Sequence, residues 1–261
     1  MVRNVFILSV LVFLYSNINS QNVVNDTSVY FNTAYNIGEK LKYEVKYGLI
    51  KGGEAMMGIG LFPSGSSHVY HVQAMAYTTG FASKMANIYD IYESYIDIKT
   101  GYPVKAIRNI KESSYTKYDE VLFYRDSTNY IYSMNLGKRY VPENTLDILS
   151  AFYFARRFLF DMEFEIGQTI NLTTFLDNKV FPIKIKYLKK ETIKTNFGKI
   201  ECLKFVPIIE IDSPFENEDD MEIWFSNDGN FVPVRINVDA PIGKLKCELI
   251  EYEGLKNPFG S

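Results

Sequence analysis

Cysteine, histidine and tryptophan are nearly missing from this chain of 261 residues. Only Cys202, Cys247, His68, His71 and Trp224 are present. Two cysteines cannot make the dense disulfide framework of a small secreted scaffold. Each lies in a candidate strand, with two further candidate strands between them. In a simple meander, three spacings of about 4.8 Å exceed the reach of a disulfide, so buried free thiols are expected; a bridge would require the two strands to be neighbours. His68 and His71, three apart on a strand, point to opposite faces, and no Cys/His cluster supplies further metal ligands. An excess of positive charge is also missing. With 28 basic and 31 acidic residues the net charge is −3, which excludes the basic footprint of a nucleic-acid binder. There is no Gly-x-Ser-x-Gly elbow and no glycine-rich phosphate loop. Neither cysteine carries a cue for a lowered pKa. No catalytic residue, metal or cofactor is therefore assigned.

Long apolar runs are confined to the start. Arg3 precedes Val5 to Tyr15, and polar Ser16 to Ser20 follow. That is the pattern of a secretory leader, too short for a bilayer span of roughly 20 residues. Cleavage is expected after Ser20. It would give an exported protein of the periplasm or cell envelope, or an extracellular one, with no transmembrane anchor after cleavage. No cysteine follows the leader to carry a lipid.

Aromatic residues are abundant, with 20 Tyr and 19 Phe, and such residues suit half-buried pleated surfaces. After a polar lead-in over 21–37, Lys40 to Tyr47 alternates strictly: Leu41, Tyr43, Val45 and Tyr47 against four charges. That is a half-solvated antiparallel strand. Gly48 to Gly53 turns the chain. The next strand puts Ala55, Met57, Ile59 and Leu61 on one face and Glu54, Met56, Gly58 and Gly60 on the other. Glycines inside a strand weaken it and suggest a bend or a close approach by another group. Further strands are read at 69–77, 89–98, 104–111, 115–124, 130–134, 168–175, 180–188, 198–209, 221–225, 231–238 and 244–252. Ser226 to Asn230 is a strong hairpin signal. Gly80 to Asn87 is a break with weak helical character.

One segment has a helical period. Ile148, Phe152, Ala155 and Leu159 recur at i, i+4, i+7 and i+11, widened by Leu149 and Tyr153. Asn144-Thr145 can cap it, Asp147 falls in its first turn, and Arg156 and Arg157 lie near its carboxyl end, where cations are favoured. About a dozen strands and one helix predict a mainly β domain over 38–254. Its curved antiparallel sheet forms an open or nearly closed barrel with the helix packed in its concavity. A two-sheet sandwich is the alternative. Residues 255–261 read as a flexible tail.

Several stretches resemble the bacterial secreted family called domain of unknown function 3108. They are Gly38 to Gly48, Gly53-Glu54-Ala55, Asp90 to Asp97 closing on Pro103, Asp147 to Arg156, Phe197 to Cys202, Pro207, and Trp224 to Arg235. The resemblance spans most of 38–252 and implies no activity and no catalytic residues. The strand-rich pattern with one central helix is also similar to periplasmic carriers of lipoprotein lipids, which are half-barrels filled by helices.

The remaining charged clusters read as surface. Glu93 and Asp97 share a strand face, about 13 Å apart at Cα, too far for a paired-carboxylate hydrolase. Glu216 to Asp220 is the densest acidic run but lacks calcium-loop spacing. Ser150 reads as a small packing residue. The expected function is a non-enzymatic binding module of the envelope, holding an apolar or lipid-like ligand. Its expected wall is Ala55, Met57, Ile59, Leu61, Phe152, Tyr153 and Trp224. The alternatives are a structural or assembly protein with a filled barrel, and an envelope hydrolase marked by a compact polar cluster in a cavity.

Overall fold

The computed structural model describes residues 32–159, 162–208, 221–240 and 243–260. The leader and the acidic run Glu216 to Asp220 lie outside them. Alternation produces strands wherever it was read. In the first half of the chain these are β1 (Lys40–Tyr47), β2 (Ile50–Ser64), β3 (Ser67–Thr78), β4 (Tyr89–Asp97), β5 (Pro103–Glu112), β6 (Tyr115–Arg125), β7 (Asn129–Ser133) and β8 (Gly137–Tyr140). The second half adds β9 (Thr169–Leu176), β10 (Lys179–Thr195), β11 (Gly198–Pro207), β12 (Met221–Ser226), β13 (Pro233–Ala240) and β14 (Gly243–Glu253). Helix α1 is Gly80–Met85 and helix α2 is Ile148–Leu159.

All fourteen described strands form one antiparallel sheet in the order β8-β7-β6-β5-β4-β3-β2-β1-β14-β13-β12-β11-β10-β9. This corrects the sandwich alternative. Neighbouring strands are consecutive in the chain except at the centre, where the first and last described strands pair, Lys40 opposite Glu253 and Tyr47 opposite Leu245. The free edges, β8 and β9, are linked through α2.

The sheet curls until its β9 edge approaches the opposite wing. Leu146 forms a parallel bridge to Thr174 of β9. Phe175 packs with Val121, Phe123 and Ile131. Asp177, in a β9–β10 turn with positive φ at Asp177 and Asn178, is clasped by Arg108 and Lys117. The ladder does not close, so this is an open, helix-filled barrel.

Helix α2 fills the concavity. Ile148, Leu149 and Tyr153 pack with Ile59, Val72, Ala74, Tyr92, Ile96 and Ile110, while Ala155 and Leu159 pack with Phe205, Phe225 and Phe231. The cap is Asp147, not Asn144-Thr145. Its Oδ1 accepts the backbone N–H of Leu149 and Ser150 (2.9 and 3.1 Å), and Ser150 Oγ accepts the Asp147 N–H in return (2.9 Å). A carboxylate is the better acceptor for free first-turn amides.

Arg156 and Arg157 do more than favour the helix terminus. Arg156 is wholly buried against Glu39, and Arg157 donates to the carbonyls of Ile98 and Lys99. The tail expected to be flexible is docked. Leu255 and Phe259 join an apolar cluster with Phe197, and Asn257 hydrogen-bonds Asn230, Gly229 and Thr33. Together with Ala34 and Tyr35 of the lead-in, this tail covers the end of the barrel beside the β12–β13 hairpin.

Candidate functional site

The faces of β2 do different work because side chains alternate along a strand. Met57 and Ile59 belong to the helix-side core. Met56, Gly58 and Gly60 therefore face away from the helix, and there the register assembles a groove. Lys42 stands between Glu251 and Met56, and Met56 opposite Met75. Lys40 stands between Glu253 and Gly58, and Gly58 opposite Gln73. Gly60 faces His71. The groove spans β14, β1, β2 and β3 and encloses about 400 Å³, within the range of small-molecule sites.

The two glycines make the depression, and the backbone does not require either of them. A Cβ at Gly60 would meet nothing within 4 Å, and one at Gly58 would meet only the Glu39 carbonyl at an ordinary 3.5 Å. Neither has a positive φ. By contrast, a Cβ at Gly53 would lie 2.5 Å from the Tyr77 carbonyl oxygen, so that glycine serves packing.

The rims are paired charges. Lys40 Nζ lies 3.0 Å from Glu253, and Lys42 Nζ lies 3.7 Å from Glu54 and 3.9 Å from Glu251. Lys51 and Tyr77 donate to Glu54 and hold its carboxyl below the usual range. At the Gly60 end, His71 Nε2 lies 2.6 Å from Glu93 Oε2, and its ring stacks on Tyr95 at 4.6 Å. Glu93, expected to be simply solvated, is thus held by a histidine and a tyrosine hydroxyl (3.3 Å). The lining contains no Ser, Thr or Cys.

A second, much smaller cleft of about 40 Å³ lies on the helix side, among Tyr92, Arg108, Asp119, Asp147 and Asp177. It has room for about three waters. Burial raises the pKa of Asp147 despite its bonds from Ser94 and Ser150. Among the described residues no group of three His, Cys, Asp or Glu is placed to hold a metal.

The residues expected to line a cavity are distributed as follows. Met57, Ile59, Phe152 and Tyr153 meet in one helix-side cluster, and Ala55 joins the adjoining one with Met57. Leu61 is exposed near the end of β2. Trp224 is on the opposite face from α2, packed with Ile193, Ile200 and Cys202 and donating to Glu191 at 2.9 Å. Cys202 and Cys247 are free and buried, three strands apart. Burial pushes both thiols up to about 12.

The family model for a protein of unknown function, DUF3108, matches residues 42–250. The chain belongs to the DUF3108 family. No curated protein matches the sequence. Among solved structures, this DUF3108 chain is similar to a β-barrel-like protein of domain of unknown function DUF1849 from Brucella abortus. The TM-score is 0.55 at 8% identity, covering 84% of this chain and 98% of that one. Another match is the hypothetical protein CT021 from Chlamydia trachomatis, with TM-score 0.38 and 9% identity over 88% of this chain and 93% of that one. The first likeness supports the barrel-like fold alone.

Proposed function

We propose that this DUF3108 protein is a non-enzymatic binding module of the cell envelope that holds an extended apolar chain, such as an acyl chain, in the groove across β14, β1, β2 and β3. Gly58 and Gly60 carry the reading. An interior strand glycine costs roughly 0.5–1 kcal/mol relative to alanine, and here neither backbone conformation nor packing requires it. The space they leave is walled by Met56 and Met75, whose flexible thioethers adapt to varied apolar shapes. The Lys–Glu rims balance, so the floor selects for methylenes, each worth about 0.8 kcal/mol on burial. The leader pattern supports an exported location. The helix-filled concavity acts as the scaffold, with Ile59, Phe152 and Tyr153 in its core, while Met57 both packs there and borders the groove.

The test is a titration with a dansylated undecanoic acid. Saturable binding that Gly60→Leu abolishes, at unchanged or higher melting temperature, supports the groove. Saturable binding that is indifferent to Gly60→Leu overturns it. No saturable binding favours the structural reading, to which the packed core around Tyr153 already lends itself.

A further inference from the structure

The two ends of the groove on the outer face of β2 differ in chemistry. At one end Met56 stands opposite Met75. Four residues along each strand, about 13 Å away, Gly60 stands opposite His71, and Gln73 lies between them, opposite Gly58. His71 and Gln73 both line the groove on its β3 side. One end is therefore apolar, and the other offers hydrogen bonds.

His71 is fixed from three sides. Its Nε2 lies 2.6 Å from Glu93 Oε2, its ring stacks on Tyr95 at 4.6 Å and 17°, and Phe62 meets it edge-on at 6.1 Å. A carboxylate accepts and does not donate, so Nε2 supplies the proton of that bond. The neutral ring then offers Nδ1 as an acceptor. Neither Nδ1 nor the Gln73 amide has a hydrogen-bond partner among the described residues. The amide both donates and accepts.

Charge disfavours either kind of ion at this end. Lys40 already faces Glu253, and Lys42 faces Glu54 and Glu251. Beyond Tyr95, Lys105 Nζ is 3.0 Å from Glu120. An anionic head beside His71 would meet Glu93 without a spare cation. A cationic head would have to take Glu93 from His71 and from the Tyr95 hydroxyl (3.3 Å), which hold it now. An uncharged head with one donor and one acceptor meets Nδ1 and the Gln73 amide at neither cost.

We infer that the groove takes an amphiphile whose head is uncharged and both donates and accepts hydrogen bonds, an amide or a hydroxyl. The head sits on His71 and Gln73, and the chain lies on Met56 and Met75. The inference rests on the groove reading proposed above and adds to it the class and the direction of the ligand. His71 and Gln73 set specificity, and Glu93 is a positioning residue that acts through the His71 ring.

The experiment is displacement of dansylated undecanoic acid from the full chain at pH 8 by decanamide, decanol, decanoate and decylammonium. The amide and the alcohol should displace the probe at concentrations about tenfold lower than either ion. Ions resist desolvation in any apolar site, so the variants carry the decision. Gln73→Leu should weaken decanamide and decanol about fivefold and leave decanoate unchanged. Glu93→Gln, which keeps an acceptor for His71, should strengthen decanoate about fivefold and leave decanol within about twofold. Gln73 is exposed, so its substitution should leave the melting temperature unmoved. Equal displacement by decanoate, tighter displacement by decylammonium, or a preference that survives both variants overturns the head assignment and leaves the groove standing. A probe that never saturates, or one that Gly60→Leu does not block, overturns the groove and the head assignment together.

Discussion

Arg156 and Glu39 form a two-pronged ion pair with neither side chain exposed: Nη1 to Oε1 is 2.5 Å and Nη2 to Oε2 is 2.8 Å. The same guanidinium donates through Nε to the Asn230 carbonyl (2.9 Å) and through Nη2 to that of Ala34 (3.3 Å). One side chain of the central helix thus ties together the lead-in, the entry to β1 and the β12–β13 hairpin. Burial opposes its charge, but the Glu39 carboxylate together with Tyr153 and Tyr43 leaves the pKa of Arg156 raised above its ordinary value.

Breaking this pair from one side should be severe. Glu39→Gln leaves a buried cation half-matched and should cost about 3–5 kcal/mol in denaturant unfolding. Glu39→Leu combined with Arg156→Met should recover part of that loss, limited by the two carbonyls left without a donor. A single-variant cost below about 1 kcal/mol, the range of exposed pairs, would mean that the pair is open to water in solution.

Gly58→Ala and Gly60→Ala should each raise stability by roughly 0.5–1 kcal/mol, since a methyl group meets open space and strand entropy improves. Thermal unfolding checks it. Destabilisation by more than about 1 kcal/mol would show that these glycines serve the fold and would remove the reason to see a binding floor there.

Asp90 should make the protein less stable toward neutral pH. It is fully buried, and burial, with the Glu112 carboxylate adding to it, raises its pKa from 3.8 to about 7. The folded state therefore favours the protonated acid. That contribution is complete below the unfolded pKa near 4 and is lost as pH rises through 7. Asp90→Asn keeps an acceptor for the Lys111 amide, which Asp90 Oδ1 now binds at 3.0 Å. The variant should match the unmodified protein at pH 4 and exceed it at pH 8 by up to about 4 kcal/mol, at about 1.36 kcal/mol per pKa unit. Parallel stability curves across that range would show that Asp90 ionises freely in the fold.

The two thiols should be silent in the native protein. With both buried and raised to about 12, a thiol reagent at pH 8 should label neither in buffer and both in denaturant. Labelling of fewer than two after unfolding without reductant would reveal a bridge and contradict the strand order.

The β portion of the fold was legible wherever one strand face meets water. Lys40 to Tyr47 and Val180 to Leu188 alternate because solvent on one side imposes it. β8 was missed, since Gly137-Lys138-Arg139-Tyr140 is a short edge strand with no buried face to pattern. β10 continues to Thr195, past Leu188, because a bulge between Tyr187 and Lys189 resets its register and hides the alternation. The groove was half legible: the glycines on the Met56 face were visible, but their partners Lys40, Gln73 and His71 come from other strands, and register is a tertiary property. Trp224 was taken for a wall residue because a lone large aromatic says nothing about which face it occupies. Arg156 looked like a helix-end cation because its carboxylate partner lies 117 residues away.

The pairing of β1 with β14 has a kinetic consequence. Lys40 and Glu253 are 213 residues apart, so the sheet's central seam joins the first and last of the described strands. Until β14 arrives, β1 has one unpaired edge, and the two wings meet only through the helix and the contacts of the β9 edge with Arg108, Lys117, Val121, Phe123 and Ile131. Such non-local closure is slow, because the entropy of the intervening loop is lost before any contact rewards it. This sheet therefore closes its centre only once β14 has been made. A chain shortened before Gly243 would keep β1 exposed as a template for association with other chains.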